Sequence, residues 1–220
     1  MFMKKIFFLI LVCCIVSSCK KSSDQSPQDE TKYSTDFSVD DHTWFLFYPS
    51  SLIKPTPDGY LEMSLSQANY QYFELAPYST INYNYSINAD LKLYLDNSSG
   101  YGSIGLIFNF IDNTHYSACY ITNDATYYAF KNDGGTFTTL LNTGSSNVIK
   151  TQAGQANHME VRQYDLTATL LINGTSLGSF SCTRASSFCR AGLGIGTASS
   201  PYYSSLTGDF DNVSIKKINH

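Results

Sequence analysis

Tyr85–Gly100 reads YSINADLKLYLDNSSG. Within it Ile87, Ala89, Leu91, Leu93 and Leu95 alternate with Ser86, Asn88, Asp90, Lys92 and Tyr94. A side-chain period of two is that of a strand with one face buried and one face wet. The run stops in Asp96–Gly100, a cluster of turn formers. The same grammar repeats downstream: SIGLIFNFI closed by DNT, HYSACYIT closed by NDA, TYYAFKN closed by DGG, and TFTTLL closed by NTGSS. HMEVRQY, LTATLLI, AGLGIGT and DFDNVSIKKI follow, and TWFLFY, GYLEMSL and YQYFEL precede. Asn173-Gly174 between apolar runs is the signature of a two-residue type I′ hairpin. No stretch carries the 3.6-residue period of an amphipathic helix, and no segment repeats at a fixed interval. A dozen short strands with turns every eight to twelve residues predict an all-β, two-sheet antiparallel sandwich.

Composition narrows the function. Seventeen Tyr and fourteen Phe accompany only 15% charged residues, a balance that suits strands. The chain has 14 basic and 18 acidic side chains; Lys4 and Lys5 fall in the leader described next, so the mature chain carries 12 against 18, a formal charge of −6. Without basic clusters, nucleic acid is excluded as a partner, because phosphate contacts dominate that affinity.

The first residues, MFMKKIFFLILVCCIVSSCKKSSDQSPQDE, place a positive start before an apolar stretch from Ile6 to Val16. As a helix that stretch would span roughly 17 Å against a hydrocarbon layer of about 30 Å, which suits a secretory leader rather than a membrane span. Ser17 and Ser18 then precede Cys19. This order resembles the lipobox of bacterial lipoproteins, in which the cysteine is acylated and becomes the first mature residue. The resemblance implies three acyl chains on Cys19 and a stable membrane anchor, since one chain alone holds only marginally. Lys20 is not the aspartate that retains such proteins at the inner membrane of enteric bacteria, so the implied location is the outer membrane of the cell envelope, on its periplasmic or outer side. The partition expected is residues 1–18 as signal peptide, 19–32 as a disordered tether poor in apolar side chains, and 33–220 as one folded domain.

The succession GYGSIGLIFNFIDNTHYSACYI, YYAFKNDG, ANHMEVRQYDLTATLLINGTSLGSF, AGLGIGT and GDFDNVSI resembles the concanavalin A-like jelly roll, in its laminin-G-like branch, from about Ile81 to Ile218. That fold hosts lectins, carbohydrate-binding modules, glucanases and adhesion domains, so it does not by itself decide function. The jelly-roll glucanases it resembles attack with E-x-D-x-x-E on one strand, paired carboxylates being what retaining hydrolysis needs. Here Glu62, Glu74 and Glu160 lie in the folded part and none heads that motif. The expectation is therefore a non-catalytic, lipid-anchored glycan binder. A structural or adhesive surface protein with a protein partner is the alternative, and an atypical glycoside hydrolase a third reading.

Sugar recognition uses aromatic faces with amides and carboxylates around them. Tyr94 on the polar face of its run, Tyr116 and Tyr120 sharing parity, Tyr127 beside Tyr128, and Asn109 are the candidates for one open sheet face; the plain alternative is tyrosine packing in strands. Trp44 is expected in the core. Asp36, Asp209 and Asp211 could meet where the termini converge and hold a structural calcium, although such an ion wants six to eight oxygens; ordinary turn and strand-end aspartates are the other reading. No other cofactor is implied. Cys182 and Cys189, six residues apart across TRASSF, are a candidate disulfide in an oxidising envelope, and Cys119 reads as a buried apolar residue. Two formal motifs carry nothing: GYGSIG precedes a strand rather than opening a helix, and GTSLG sits in a hairpin rather than at a strand-to-helix elbow.

Overall fold

The computed structural model describes residues 28–39, 43–44, 53–78, 81–96, 100–183, 189–199 and 205–219, with only the backbone of 53–55. Among these residues are fourteen strands: β1 (Glu30–Thr35), β2 (Ile53–Pro55), β3 (Leu61–Leu65), β4 (Gln71–Leu75), β5 (Tyr85–Leu95), β6 (Gly102–Asp112), β7 (His115–Thr122), β8 (Thr126–Asp133), β9 (Thr136–Ser145), β10 (Asn157–Tyr164), β11 (Thr167–Ile172), β12 (Thr175–Ser181), β13 (Arg190–Thr197) and β14 (Leu206–Lys217). They form an eight-stranded sheet ordered β12-β11-β10-β5-β14-β3-β2, with β1 also on β14, and a six-stranded sheet ordered β4-β13-β6-β7-β8-β9. Every pairing between these strands is antiparallel. The two-sheet sandwich expected from the alternation is the one observed.

The alternation also sets the sides. Ile87, Ala89 and Leu91 of β5 enter the core between the sheets, together with Met159 and Val161 of β10, Phe210 and Ile215 of β14, and Leu193 and Ile195 of β13. Trp44 joins them and donates its indole N–H to the Tyr33 hydroxyl at 2.7 Å. Cys119 is fully buried there, where burial pushes its thiol pKa up. β14 serves two partners in succession: Leu206–Phe210 pair with β3, and Val213–Lys217 pair with β1. The change of partner coincides with a bulge at Asn212, whose φ is +49°.

Two expectations need adjustment. Glu30, Thr31 and Lys32, assigned to the tether by their polarity, belong to β1, and Asp29 before them pairs with Arg162 at 2.9 Å; β1 docks through main-chain hydrogen bonds, which polarity does not forbid. The bridge between Cys182 and Cys189 is not formed. Both are thiols, and Cys189 is held in the interior, its Sγ 3.4 Å from Asn109 Oδ1 and 4.0 Å from the Tyr85 hydroxyl. The signal peptide, Cys19, most of the tether, and the TWFLFY run beyond Trp44 lie outside the described residues.

Of the two glycine motifs, the first lies largely within a strand rather than before it, with Gly102 and Gly105 inside β6, and Gly174 falls as expected in the turn between β11 and β12. That turn has φ +50° at Asn173 and +80° at Gly174, the type I′ geometry. The Asn173 side chain adds bonds to Val148 O at 2.7 Å, to Asn157 Oδ1 at 3.0 Å, and from the His158 amide at 2.9 Å. Gly174→Ala should therefore cost about 1 kcal/mol for a left-handed non-glycine residue. Asn173→Ala should cost more, because it loses three hydrogen bonds as well as the turn preference. Urea midpoints of the two variants check the order, and equal costs would show that the side-chain bonds contribute nothing.

Candidate functional site

The six-stranded sheet is apolar on both sides. Its outer side carries a second cluster built from Phe73 and Leu75 of β4, Ile107 and Phe110 of β6, Tyr116, Ala118 and Tyr120 of β7, and Tyr128 and Phe130 of β8, every member belonging to that sheet. Glycine shapes it. Tyr120 stands opposite Gly105 on β6, and Gly105 opposite Gly194 on β13. A Cβ at Gly194 would lie 2.5 Å from the Tyr120 hydroxyl. The Tyr120 ring therefore lies flat across the sheet, from β7 over β6 to β13. The Phe130 ring is within 10° of parallel to it and the Tyr128 ring within 28°, with centroids 6.1 and 5.7 Å away. Tyr120 itself is buried, Tyr128 and Phe130 are partly exposed, and Phe137 on β9 stands open beside Phe130 with centroids 5.5 Å apart. Burial raises the phenol pKa of Tyr116, Tyr120 and Tyr128, so these rings stay neutral. The result is a pavement of near-parallel rings in which Tyr120 is covered and Tyr128, Phe130 and Phe137 are the members that reach solvent.

On the β4 side the pavement is bordered by a cleft of about 430 Å³ along β4, the last strand of the sheet among the described residues. Phe73 and Phe110 wall it, their rings in edge contact at 5.4 Å, and Glu74 and Arg190 reach it. Glu74 is 2% exposed. Its Oε2 accepts the Tyr72 hydroxyl at 3.2 Å, and Arg190 donates Nη2 to Ala76 O at 2.9 Å. Burial pushes the Glu74 carboxyl up to about 7, against the Tyr72 hydroxyl, the Leu75 amide and the Arg190 charge, which lower it.

The structure divides the sequence candidates. Tyr116 and Tyr120 lie together in the pavement. Tyr127 does not: it points to the core side, its ring against Gly144 and its hydroxyl on Leu177 O at 3.2 Å, so the outward member of that pair is Tyr128. Tyr94 lies on the outer side of the other sheet, against Gly154. Asn109 occupies a bulge of β6 with φ +51°. Its amide N–H donates to the Tyr85 hydroxyl at 3.1 Å and its Nδ2 to Thr183 O at 3.0 Å, so its polar atoms are engaged within the fold. Asn109 and Tyr116 do line one recess of about 210 Å³ at the end of the sheet. Phe130 and the pair Glu74 and Arg190 were not anticipated. Strict parity from Ala129 would have placed Phe130; nothing in the sequence ties Glu74 to Arg190, 116 positions on.

The three aspartates do not form one cluster. Asp209 stands opposite Lys92 and Glu62. The carboxyl of Asp211 is raised chiefly by burial and then by the nearby charges of Asp90 and Asp36. Asp90 is held by His158 Nδ1 at 2.7 Å and Asn212 Nδ2 at 2.8 Å. Among the described residues, no group of three or more His, Cys, Asp or Glu side chains is placed to hold a metal ion.

No protein family and no curated sequence matches the chain. Solved structures do. The carbohydrate-binding module CBM66 of Bacillus subtilis is 14% identical, with a TM-score of 0.56 over 75% of this chain and 91% of that one. Bacillus licheniformis β-glucanase is 10% identical, with a TM-score of 0.59 over 89% and 100%. A LamA variant of Zobellia galactanivorans, crystallised with laminaritriose and laminaritetraose, is 10% identical, with a TM-score of 0.60 over 86% and 99%. The fold is the concanavalin A-like jelly roll. Among the described residues of this jelly roll, the pavement itself consists of aromatic, aliphatic and glycine positions, with its one buried carboxylate, Glu74, at the border.

Glu74 makes stability pH-dependent with a definite sign. The folded chain binds this proton more tightly than the unfolded one, so the contribution is full below pH 4.5 and is lost as pH rises through about 7. That interval corresponds to about 3 kcal/mol. Glu74→Gln should remove it, and urea unfolding at pH 4 and pH 8 should show the variant gaining about that much on the parent. A difference that stays constant with pH would mean that Glu74 keeps an ordinary carboxyl.

Proposed function

We propose that this protein is a lipid-anchored envelope protein that binds a glycan on the aromatic face of its six-stranded sheet and does not cleave it. The observation that carries the reading is the pair of partly exposed rings, Tyr128 and Phe130, aligned on the buried Tyr120 ring on a face that no other described element covers. A pyranose ring has an apolar face of C–H groups and a rim of hydroxyls, and it matches a flat aromatic surface with a polar border. Binding modules and glycan-active enzymes share this fold, which supports a sugar ligand. The aromatic and glycine make-up of the pavement supports binding over bond cleavage, which in the glucanases of this fold needs two facing carboxylates.

Lipid anchoring rests on the order of charge, apolar run, small residues and Cys19 at the head of the chain. Residues 20–29 could then reach at most roughly 35 Å from the lipid before β1 begins. A surface protein that docks another protein remains the second reading, favoured by Phe137, 61% exposed at the border of the pavement.

Two experiments test these statements. On an array of plant, algal and bacterial glycans, the full-length protein should be retained. Tyr128→Ala and Phe130→Ala should each weaken retention about tenfold, while Tyr94→Ala on the opposite sheet leaves it unchanged. Retention insensitive to both pavement variants would place the ligand elsewhere, and release of reducing sugar or unsaturated ends would overturn the non-catalytic reading. In cells, Cys19→Ser should abolish incorporation of labelled palmitate and shift the protein to the soluble fraction; persistence in the membrane would remove the anchor.

A further inference from the structure

The cleft beside β4 holds polar capacity that the fold leaves unused. Glu74 is almost completely buried, yet its Oε1 has no hydrogen-bond partner, and the buried Nε of Arg190 has none either. Buried polar atoms are otherwise paired, and leaving one unmade is costly. Here an acceptor and a donor are both unmet, and both side chains line the same cleft, between Phe73, Phe110 and Tyr70. Its volume of about 430 Å³ falls in the range of small-molecule sites.

The geometry points to this cleft as a saccharide subsite, in which Arg190 Nε donates to and Glu74 Oε1 accepts from hydroxyl groups of one neutral sugar residue, its neighbour resting on the aromatic pavement. The assignment builds on the glycan reading above and adds the chemical class of the ligand. A hydroxyl donates and accepts through its one oxygen, so the hydroxyls of a sugar residue can serve an acceptor and a donor alike. A carboxylate or sulfate on the ligand could satisfy Arg190, but to an ionised Glu74, the form that predominates above about pH 7, it would bring like charge and offer no proton. A peptide amide also carries one donor and one acceptor. It lacks the flat C–H face that Phe73, Phe110 and the rings beyond them are laid out to meet. The apolar wall continues without a break from the cleft to the pavement through the Phe73, Phe110 and Tyr116 contacts, with centroids 5.3 to 6.4 Å apart, so one oligosaccharide could occupy both.

The test is calorimetric titration of the full-length protein in detergent with laminarihexaose, xylohexaose and mannohexaose as neutral probes, and with hexamers of galacturonate and mannuronate as acidic ones. At least one neutral oligomer should bind, and neither acidic one more tightly. Arg190→Lys, which keeps the charge and lacks Nε, and Glu74→Ala should each lower that affinity tenfold or more. In the unaltered protein, the 15N-detected Nε–H signal of Arg190 should shift on saturation, a readout independent of how well the variants fold. Binding that depends on Tyr128 and Phe130 but leaves the Arg190 signal and both cleft variants unaffected would overturn the subsite while the pavement reading stands. Preference for the acidic hexamers would overturn the neutral class. Binding of none of the five, with capture of a peptide or protein instead, would remove the glycan reading itself.

Discussion

The outer face of the six-stranded sheet depends on the absence of side chains at Gly105 and Gly194. A Cβ at Gly105 would lie 1.9 Å from the Cys119 carbonyl oxygen, and one at Gly194 would meet the Tyr120 hydroxyl at 2.5 Å. With a side chain at Gly194, the Tyr120 ring would have to stand up from the sheet, as strand side chains ordinarily do. Because it lies down, Tyr128 and Phe130 find a flat neighbour to align with. Glycine in strands usually weakens them, and it is found where something approaches the backbone closely. At Gly194 the approaching group is the protein's own phenol, and at Gly105 it is the Cys119 carbonyl of the next strand.

Such a face has to be stable in water without a covering layer. Tyr116, Tyr120 and Phe110 are buried by the rings around them, so the layer shelters part of its own apolar area, and the partly exposed rings at its margin hold what remains available for a ligand. The edge of β4, unpaired among the described residues, is a second hazard, since an open strand edge invites pairing with another chain. Here the Arg190 guanidinium reaches Ala76 O, just past the end of β4, and the Glu74 carboxyl takes an amide of β4 itself. Inward-reaching ionisable groups at an edge discourage strand addition. They also leave two polar atoms unmet, as sites kept ready for a partner do.

The sandwich was legible because period two survives any detail of packing: β5 alone announces which of its side chains are buried, and Asn173-Gly174 announces its turn. The pavement was half legible. Tyr116 and Tyr120 fell on one face by parity, but Tyr127 and Tyr128 are adjacent, and only the opposing Gly144 reveals which ring points inward. Asn109 looked like a surface amide and is a bulge residue, because a left-handed φ leaves no trace in an alternating pattern. The Glu74 and Arg190 pair depends on β4 and β13 becoming neighbours through a long-range crossover, and local sequence carries no record of that. β1 escaped because a strand that docks on an existing sheet through its backbone needs no apolar face of its own.

The two layers then divide the work. β1 pairs with β14 in the eight-stranded sheet, and Asp29 is fixed to Arg162 on the outer side of that sheet. The chain therefore enters the domain through the eight-stranded layer, while the aromatic rings are on the far side of the other layer, beyond a core about 10 Å thick. With Cys19 acylated, as proposed, the short residue count before β1 holds the entry layer close to the lipid. The six-stranded layer has its own strands free of that attachment. A polymer too large to approach a membrane closely could then be met by the side of the molecule turned away from it. The outer side of the eight-stranded sheet carries the Arg162–Asp29 and His158–Asp90 pairs.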